Sequence, residues 1–221
     1  MDFSKVPKSV QDKRKTIFVG MDGSCRHKPT LSSLYRDYRI IFNDASQPML
    51  DFAKKHHKIN DQDLFCSRIQ DFDFSQFKNK ISLCVCWWNA CYLGLDDLKN
   101  YLKGMLMALK CNDTSNKFGT SVSHDGYIIM TEPIGQVSEN NDYGGQSMAI
   151  KPPGYYETIF RELDIEIVNK WNYLAYPANK DFMIEKEIVW LLREDPCSAK
   201  NRANQSRLFI PVKNPNGTYS I

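Results

Sequence analysis

Gly20 closes the apolar run Thr16-Ile17-Phe18-Val19, and Asp44 stands just past a second one, Arg39-Ile40-Ile41-Phe42. Their separation is roughly the twenty residues that part the first glycine from the ribose-binding acid in nucleotide-binding folds. A carboxylate suits that task because it accepts two hydrogen bonds from a diol. Asp44 also precedes Ser46, and an Asx residue there commonly just turns the chain. Spacing alone weighs the two readings evenly. The loop Gly20-Met21-Asp22-Gly23-Ser24-Cys25 has no G-x-G-x-x-G pattern. Asp22 falls where a close backbone approach would want glycine, and its charge repels a phosphate while tolerating a ligand with positive charge. A phosphate-binding loop is disfavoured, and a nicotinamide enzyme with it. The acids placed for proton transfer are Asp71, Glu132 and Asp142, and none is compelling as a base.

These residues need elements that bring their loops together. Thr16–Gly20 reads as a buried strand, and Pro29 suits the first turn of a helix running through Leu31, Leu34 and Tyr35. Arg39–Phe42 is a second strand. Ser46 caps the next helix, with Pro48 in its first turn and Met49, Leu50, Phe52 and Ala53 as its apolar face. Asp63 to Ile69 gives a third strand. Ile81 to Trp88 is nearly all apolar, the mark of a central strand buried on both faces. Leu95, Leu98, Leu102, Met105, Leu106 and Leu109 form a core-facing helical stripe. Asn112 to His124 reads as a loop, Gly126 to Thr131 as the fifth strand, and Gly135 to Lys151 as a flexible loop. Pro153 to Leu163 is a helix, and Ile165 to Trp171 and Lys186 to Leu192 are two last strands. Strands alternating with helices, then two consecutive strands, imply a Rossmann-like α/β sandwich. Its seven-stranded sheet is mostly parallel with an antiparallel final hairpin. In such a sheet a ligand sits outside the C-terminal strand ends, at the switch in strand order.

The bulk composition narrows the function classes. With 29 basic and 26 acidic residues, the net charge of +3 gives no global case for nucleic acid. No apolar run reaches membrane-spanning length. The seven cysteines form no CxxC pair, and Cys84, Cys86 and Cys91 read as buried reduced thiols. That places the chain in a reducing intracellular compartment, the cytoplasm first and the mitochondrion as alternative. Residues 1–15 read as a basic extension, 16–193 as the single domain, and 194–221 as a polar tail. Within that tail Leu208-Phe209-Ile210-Pro211-Val212 is an apolar patch that can pack on a protein partner or on its own domain.

Three segments carry a family resemblance. They are Asn43-Asp44-Ala45-Ser46-Gln47-Pro48-Met49-Leu50, Phe65-Cys66-Ser67-Arg68-Ile69-Gln70-Asp71-Phe72, and Val85-Cys86-Trp87-Trp88-Asn89-Ala90-Cys91-Tyr92-Leu93. In order and spacing they resemble the class I methyltransferases that use S-adenosylmethionine, and more narrowly the protein N-terminal methyltransferases. The resemblance covers most of residues 16 to 193. It implies S-adenosylmethionine as cofactor, with Gly20, Gly23 and Arg26 in the cofactor loop, Asp44 at the ribose and Gln70 near the adenine. It implies Trp88 and Tyr92 on the substrate side.

The departures weigh as much. The family's acid in the first strand is replaced by Phe18-Val19, its active-site histidine falls at Tyr92, and its asparagine after the fifth strand falls at Pro133. Its acid-rich stretch before the last helix falls in Gly144 to Pro153, which holds no carboxylate. Only fifteen residues precede Thr16, so the helices that lid the cofactor in the family are expected to be missing. Two readings follow: a noncatalytic subunit of a larger assembly, or an active methyltransferase of peptide N-termini.

Overall fold

The computed structural model describes residues 16–22, 25, 27–109, 111–114, 121–124, 126–134, 141–143, 146–148, 150–174, 186–195, 212–213 and 219–220. Seven strands form the main sheet: β1 (Thr16–Gly20), β2 (Arg39–Asp44), β3 (Leu64–Cys66), β4 (Ile81–Trp87), β5 (Tyr127–Ile134), β6 (Ile165–Leu174) and β7 (Lys186–Glu194). Their order is β6-β7-β5-β4-β1-β2-β3. β1 to β5 pair in parallel, and β7 runs antiparallel to both β5 and β6. The helices are α1 (Lys28–Leu34), α2 (Gln47–His57), α3 (Leu95–Ala108) and α4 (Pro153–Glu162). This is the expected sandwich, with an antiparallel final hairpin.

The alternation of side chains along each strand builds two cores. Phe18, Cys84, Cys86, Ile128, Met130, Trp190 and Leu192 face one side, where Leu98, Leu102 and Met105 of α3 and Ile159 and Phe160 of α4 cover them. Ile17, Val19, Leu83, Val85, Ile129, Val189 and Leu191 face the other, together with Leu31 of α1 and Ala53 of α2. β4 is buried on both faces up to Cys86, as its unbroken apolar run requires.

Several elements differ from the sequence reading. The third strand is three residues long, not the seven of Asp63 to Ile69. Asn43 explains the short strand. Its buried amide donates to the carbonyls of Phe65 and Ser67 and to the Ser67 hydroxyl, fastening the end of β2 to a chain already turning away. Ile69–Asp71 is a 3-10 turn instead. On α2 only Leu50 and Ala53 are buried; Met49 and Phe52 of the expected apolar face point to solvent. Leu95 likewise starts α3 exposed. Two segments read as loops contain short antiparallel pairs, Cys111–Thr114 with Ser121–His124 and Asn141–Tyr143 with Gln146–Met148. The basic start, residues 1–15, and nearly all of the tail 194–221 lie outside the described residues, as does the 208–211 part of its patch.

Packing of α3 on the Phe72–Phe77 segment needs a glycine at 104. A Cβ built there would stand 2.4 Å from Cδ2 of Phe74. That ring is itself wedged against Phe18, Phe72 and Tyr101. Gly104→Ala should therefore lower the unfolding free energy by about 1–2 kcal/mol, overpacking outweighing the better helix propensity of alanine. Gly154→Ala, where a Cβ meets nothing within 4 Å, should be neutral or stabilising by up to about 1 kcal/mol. Urea unfolding of both variants decides it; equal behaviour would refute the packing argument.

Candidate functional site

β1 pairs β2 on one side and β4 on the other, so the strand order reverses at β1. The loops after β1, β2, β3, β4 and β5 all leave the sheet at this C-terminal edge. Their residues are stitched to one another. Asp22 N–H donates to the Asn43 carbonyl, Ser67 N–H to the Asp44 carbonyl, and Trp88 N–H to the Thr131 carbonyl at 2.8 Å. The Asn89 side-chain amide donates to the Gly20 carbonyl at 3.0 Å.

The turn after β4 is built on one carboxylate. Glu132, fully buried, accepts the N–H groups of Asn89 and Ala90 at Oε1 (3.1 and 2.9 Å) and that of Cys91 at Oε2 (3.0 Å). Three consecutive amides thus converge on one anion, the charge-assisted arrangement that holds a carboxylate in a backbone nest. Burial pushes the Glu132 carboxyl up to about 7, with the three N–H donors pulling the other way. Sequence reasoning kept Glu132 as a possible base; the structure gives both its oxygens a structural task. Asp71 is exposed and ion-paired to Arg68 at 2.7 Å. The side chain of Asp142 lies outside the described residues.

The described residues of the glycine loop bond to the chain itself. Asp22 is buried; its carbonyl accepts the Cys25 N–H and its carboxylate the His27 N–H, so it shapes the entry into α1. A Cβ on Gly20 would stand 2.5 Å from the Tyr101 hydroxyl, 3.0 Å from Nδ2 of Asn89 and 3.0 Å from Cδ1 of Ile69. The room left by the missing side chain is filled by the chain itself. Gly23 and Arg26 lie outside the described residues.

Asp44 ends β2 half-buried, and its Oδ1 accepts the Ser46 N–H at 2.8 Å. The Asx turn is therefore real. A carboxylate offers about four acceptor positions, and this turn takes one of them. Gln70 is half-buried in the 3-10 turn after β3. Trp88 and Tyr92 pack together on Cys91 and Ile150. Sequence reasoning missed His27, whose ring stacks on Trp87 with centroids 4.5 Å apart. It also missed Lys151, Asn89 and Tyr101. Only the places of His27, Asn89 and Lys151 beside strand ends and helix starts could have marked them; Tyr101, inside α3, carried no such mark.

Backbone strain marks the same edge. Met21, Cys25 and Trp88 adopt left-handed φ values of 51°, 49° and 54°. Such conformations are costly for side-chain-bearing residues and gather where function or tight packing demands them. Lys58, Asn79 and Asp164 share the conformation, but they sit in turns away from this edge. Among the described residues no group of histidine, cysteine, aspartate and glutamate could hold a metal ion. No helix among them is long and apolar enough to cross a membrane.

No protein-family model matches the sequence, and no curated protein sequence matches it either. Solved structures do match. A SAM-dependent methyltransferase from Leishmania major aligns with a TM-score of 0.61 at 16% identity, over 86% of this chain and 68% of that one. A SAM-dependent methyltransferase from Methanosarcina mazei aligns at 0.63 and 10% identity, over 88% and 99%. The 4+2 cyclase SpnF aligns at 0.59 and 10% identity, over 84% and 77%. The fold is therefore that of the class I SAM-dependent methyltransferases.

Glu132 carries a pH signature. Its folded value, about 7, lies above the 4.5 of an unperturbed glutamate. The native state then holds the proton more tightly than the unfolded chain between these values. Its contribution to stability is full below the lower value and is lost as pH rises through the upper one. The change is on the order of 3 kcal/mol. Glu132→Gln should flatten that part of the stability profile between pH 4.5 and 7. Urea midpoints across this range check it; an unchanged profile in the variant would remove Glu132 as the source.

Proposed function

We propose that this chain is a noncatalytic protein of the methyltransferase fold, acting as a subunit of a larger assembly. The observation that supports this best is the double use of Glu132. The carboxylate nearest the Trp88–Tyr92 turn is fully buried and holds three backbone amides, so it is committed largely to that turn and shielded from a substrate amine. A peptide amine has a pKa of about 8 and must lose a proton before it attacks. Tyr92 and Pro133 stand where the resembling family keeps a histidine and an asparagine, and neither replaces a base at neutral pH. Gly20 also offers no cradle, because Tyr101, Asn89 and Ile69 fill its open side. A fold of this kind does not fix an activity, and a structural neighbour named as a cyclase agrees with that. The protein partner meets the tail, residues 196–221, in this reading.

A second reading keeps the chain as an active S-adenosylmethionine-dependent N-terminal methyltransferase. It is favoured by one fact: Asp44, Gln70, Trp88 and Tyr92 all stand at the same edge of the sheet. Two measurements separate the readings. Purified protein incubated with labelled cofactor and a peptide library should transfer no methyl group to N-termini; robust turnover would overturn the noncatalytic reading. Titration calorimetry with S-adenosylmethionine then tests Asp44. If the cofactor binds, Asp44→Ala should weaken it by about 1.5–3 kcal/mol, the worth of a charged hydrogen-bond partner. Unchanged affinity would take Asp44 out of the site.

A further inference from the structure

We propose that β6 is the pairing edge of a homodimer, in which two copies of this chain join their sheets antiparallel across a two-fold axis. The inference goes beyond the noncatalytic reading and does not depend on it. β6 is ten residues long, the longest strand of the sheet, and lies at its outer edge. β7 takes one side of it, and among the described residues no strand takes the other. Such an edge carries a row of backbone donors and acceptors open to another strand. One of them is met by a side chain of the strand itself: the Lys170 N–H donates to Oδ1 of Asn169 at 2.8 Å. Residues 167–170 are all exposed, Ile167 and Val168 at 37% each.

Folded proteins usually guard an open edge with charged side chains, lysine above all, or with a bulge. Here the charges are already taken within the chain. Lys170 pairs with Glu157 of α4 at 2.7 Å, which draws its ammonium toward that helix. Glu166 pairs with Arg193 of β7 at 2.7 Å. A bulge is present, because the register with β7 passes from Ile167↔Leu192 to Asn169↔Leu191 and leaves Val168 out. Its extra side chain is apolar and stands next to Ile167. These features fit a second copy as the occupant. When Ile167 lies opposite Val168 of the other copy, the two-fold axis sets Val168 opposite Ile167 as well. The same register sets Glu166 opposite Asn169 and Lys170 opposite Ile165. No like charges are opposed, and the two exposed apolar side chains cover each other. An isologous contact of this kind closes at two copies.

A strand edge of this size buries less than the about 1,600 Å² of a standard interface, so the dimer should dissociate at roughly micromolar concentrations. Sedimentation equilibrium of the full chain reads this between about 1 and about 200 μM. Reducing buffer keeps the exposed Cys66 thiol from cross-linking the copies. Val168→Asp puts a carboxylate against an apolar side chain at the two-fold axis and should raise the dissociation constant about tenfold or more. Phe52→Ser removes an exposed ring on α2 and should leave the constant within about twofold. Thermal unfolding confirms that each variant is folded. Hydrogen exchange adds a readout that damage to the fold would not give. Amides of residues 166–170 should slow as the parent protein is concentrated, while those of α2 do not change. A monomer across the whole range, which would leave the edge to a foreign strand or to none, would overturn the proposal. So would an open-ended series of larger oligomers, a folded Val168→Asp with parental self-association, or a dimer that Phe52→Ser dissociates. None of these measurements reads methyl transfer or cofactor binding, so failure here leaves the noncatalytic reading standing, and the reverse.

Discussion

Glu132 and the four amides that follow β4 form the joint on which the rest of the edge hangs. Trp88 N–H reaches the Thr131 carbonyl, and the next three N–H groups reach the Glu132 carboxylate. Two neighbouring residues of β5 therefore satisfy four successive donors at the exit of β4. Buried backbone donors must find partners, and leaving three unmet would cost several kcal/mol. This clamp fixes Asn89, which in turn holds the Gly20 carbonyl and contacts the Tyr101 hydroxyl at 3.4 Å. It fixes Cys91 as well, whose thiol points back to the Trp88 carbonyl. The exits of β1, β4 and β5 are thereby one rigid unit.

Rigidity of this kind has a cost that the structure displays. Trp88 turns through the left-handed region to start the clamp, and Met21 does the same to leave β1. Asn43 and Asn89 are fully buried, and each leaves its side-chain oxygen without a partner; the Thr131 hydroxyl is a third such group. Unpaired buried acceptors are uncommon in folded proteins and concentrate where ordered water or function intervenes. Burial on both faces of β4 sets the same limits on the thiols. Cys84 and Cys86 are held protonated by desolvation, Cys86 pushed up to about 12. They serve as packing atoms, with Cys86 against Tyr101 and Met105.

The sheet and the edge answer to different forces. Apolar burial holds the sheet, and its two cores would tolerate many arrangements of the loops above them. The loops are instead specified by buried hydrogen bonds among a few polar side chains: Asp22, Asn43, Asn89 and Glu132. These side chains sit where a ligand would approach in a fold of this kind. In this chain they are spent largely on the protein itself. The half-buried side chains at this edge are Asp44 and Gln70 on one side of β1, and Trp88 and Tyr92 on the other.

The sequence by itself determined the sandwich. Period-two and unbroken apolar runs placed β1, β2, β4, β5 and the final pair. The leucine and methionine stripe placed α3, and the alternation of strands with helices implied a mostly parallel sheet, whose strand order only the structure gave. It also marked the C-terminal edge as the place to look, and it named Asp44, Gln70, Trp88 and Tyr92 there. It misjudged β3, because the Asn43 amide that turns the chain at Ser67 acts across more than twenty residues. Two solvent-facing residues of α2, Met49 and Phe52, were assigned to the core on periodicity that cannot tell which arc of a helix meets the sheet. The fate of Glu132, Asp22 and Gly20 was open for a similar reason. A carboxylate at a strand end serves a substrate or a backbone turn according to what lies across from it. Only the tertiary structure, by carrying residues 89–91 over Glu132 and Tyr101 over Gly20, decided that here both serve the protein.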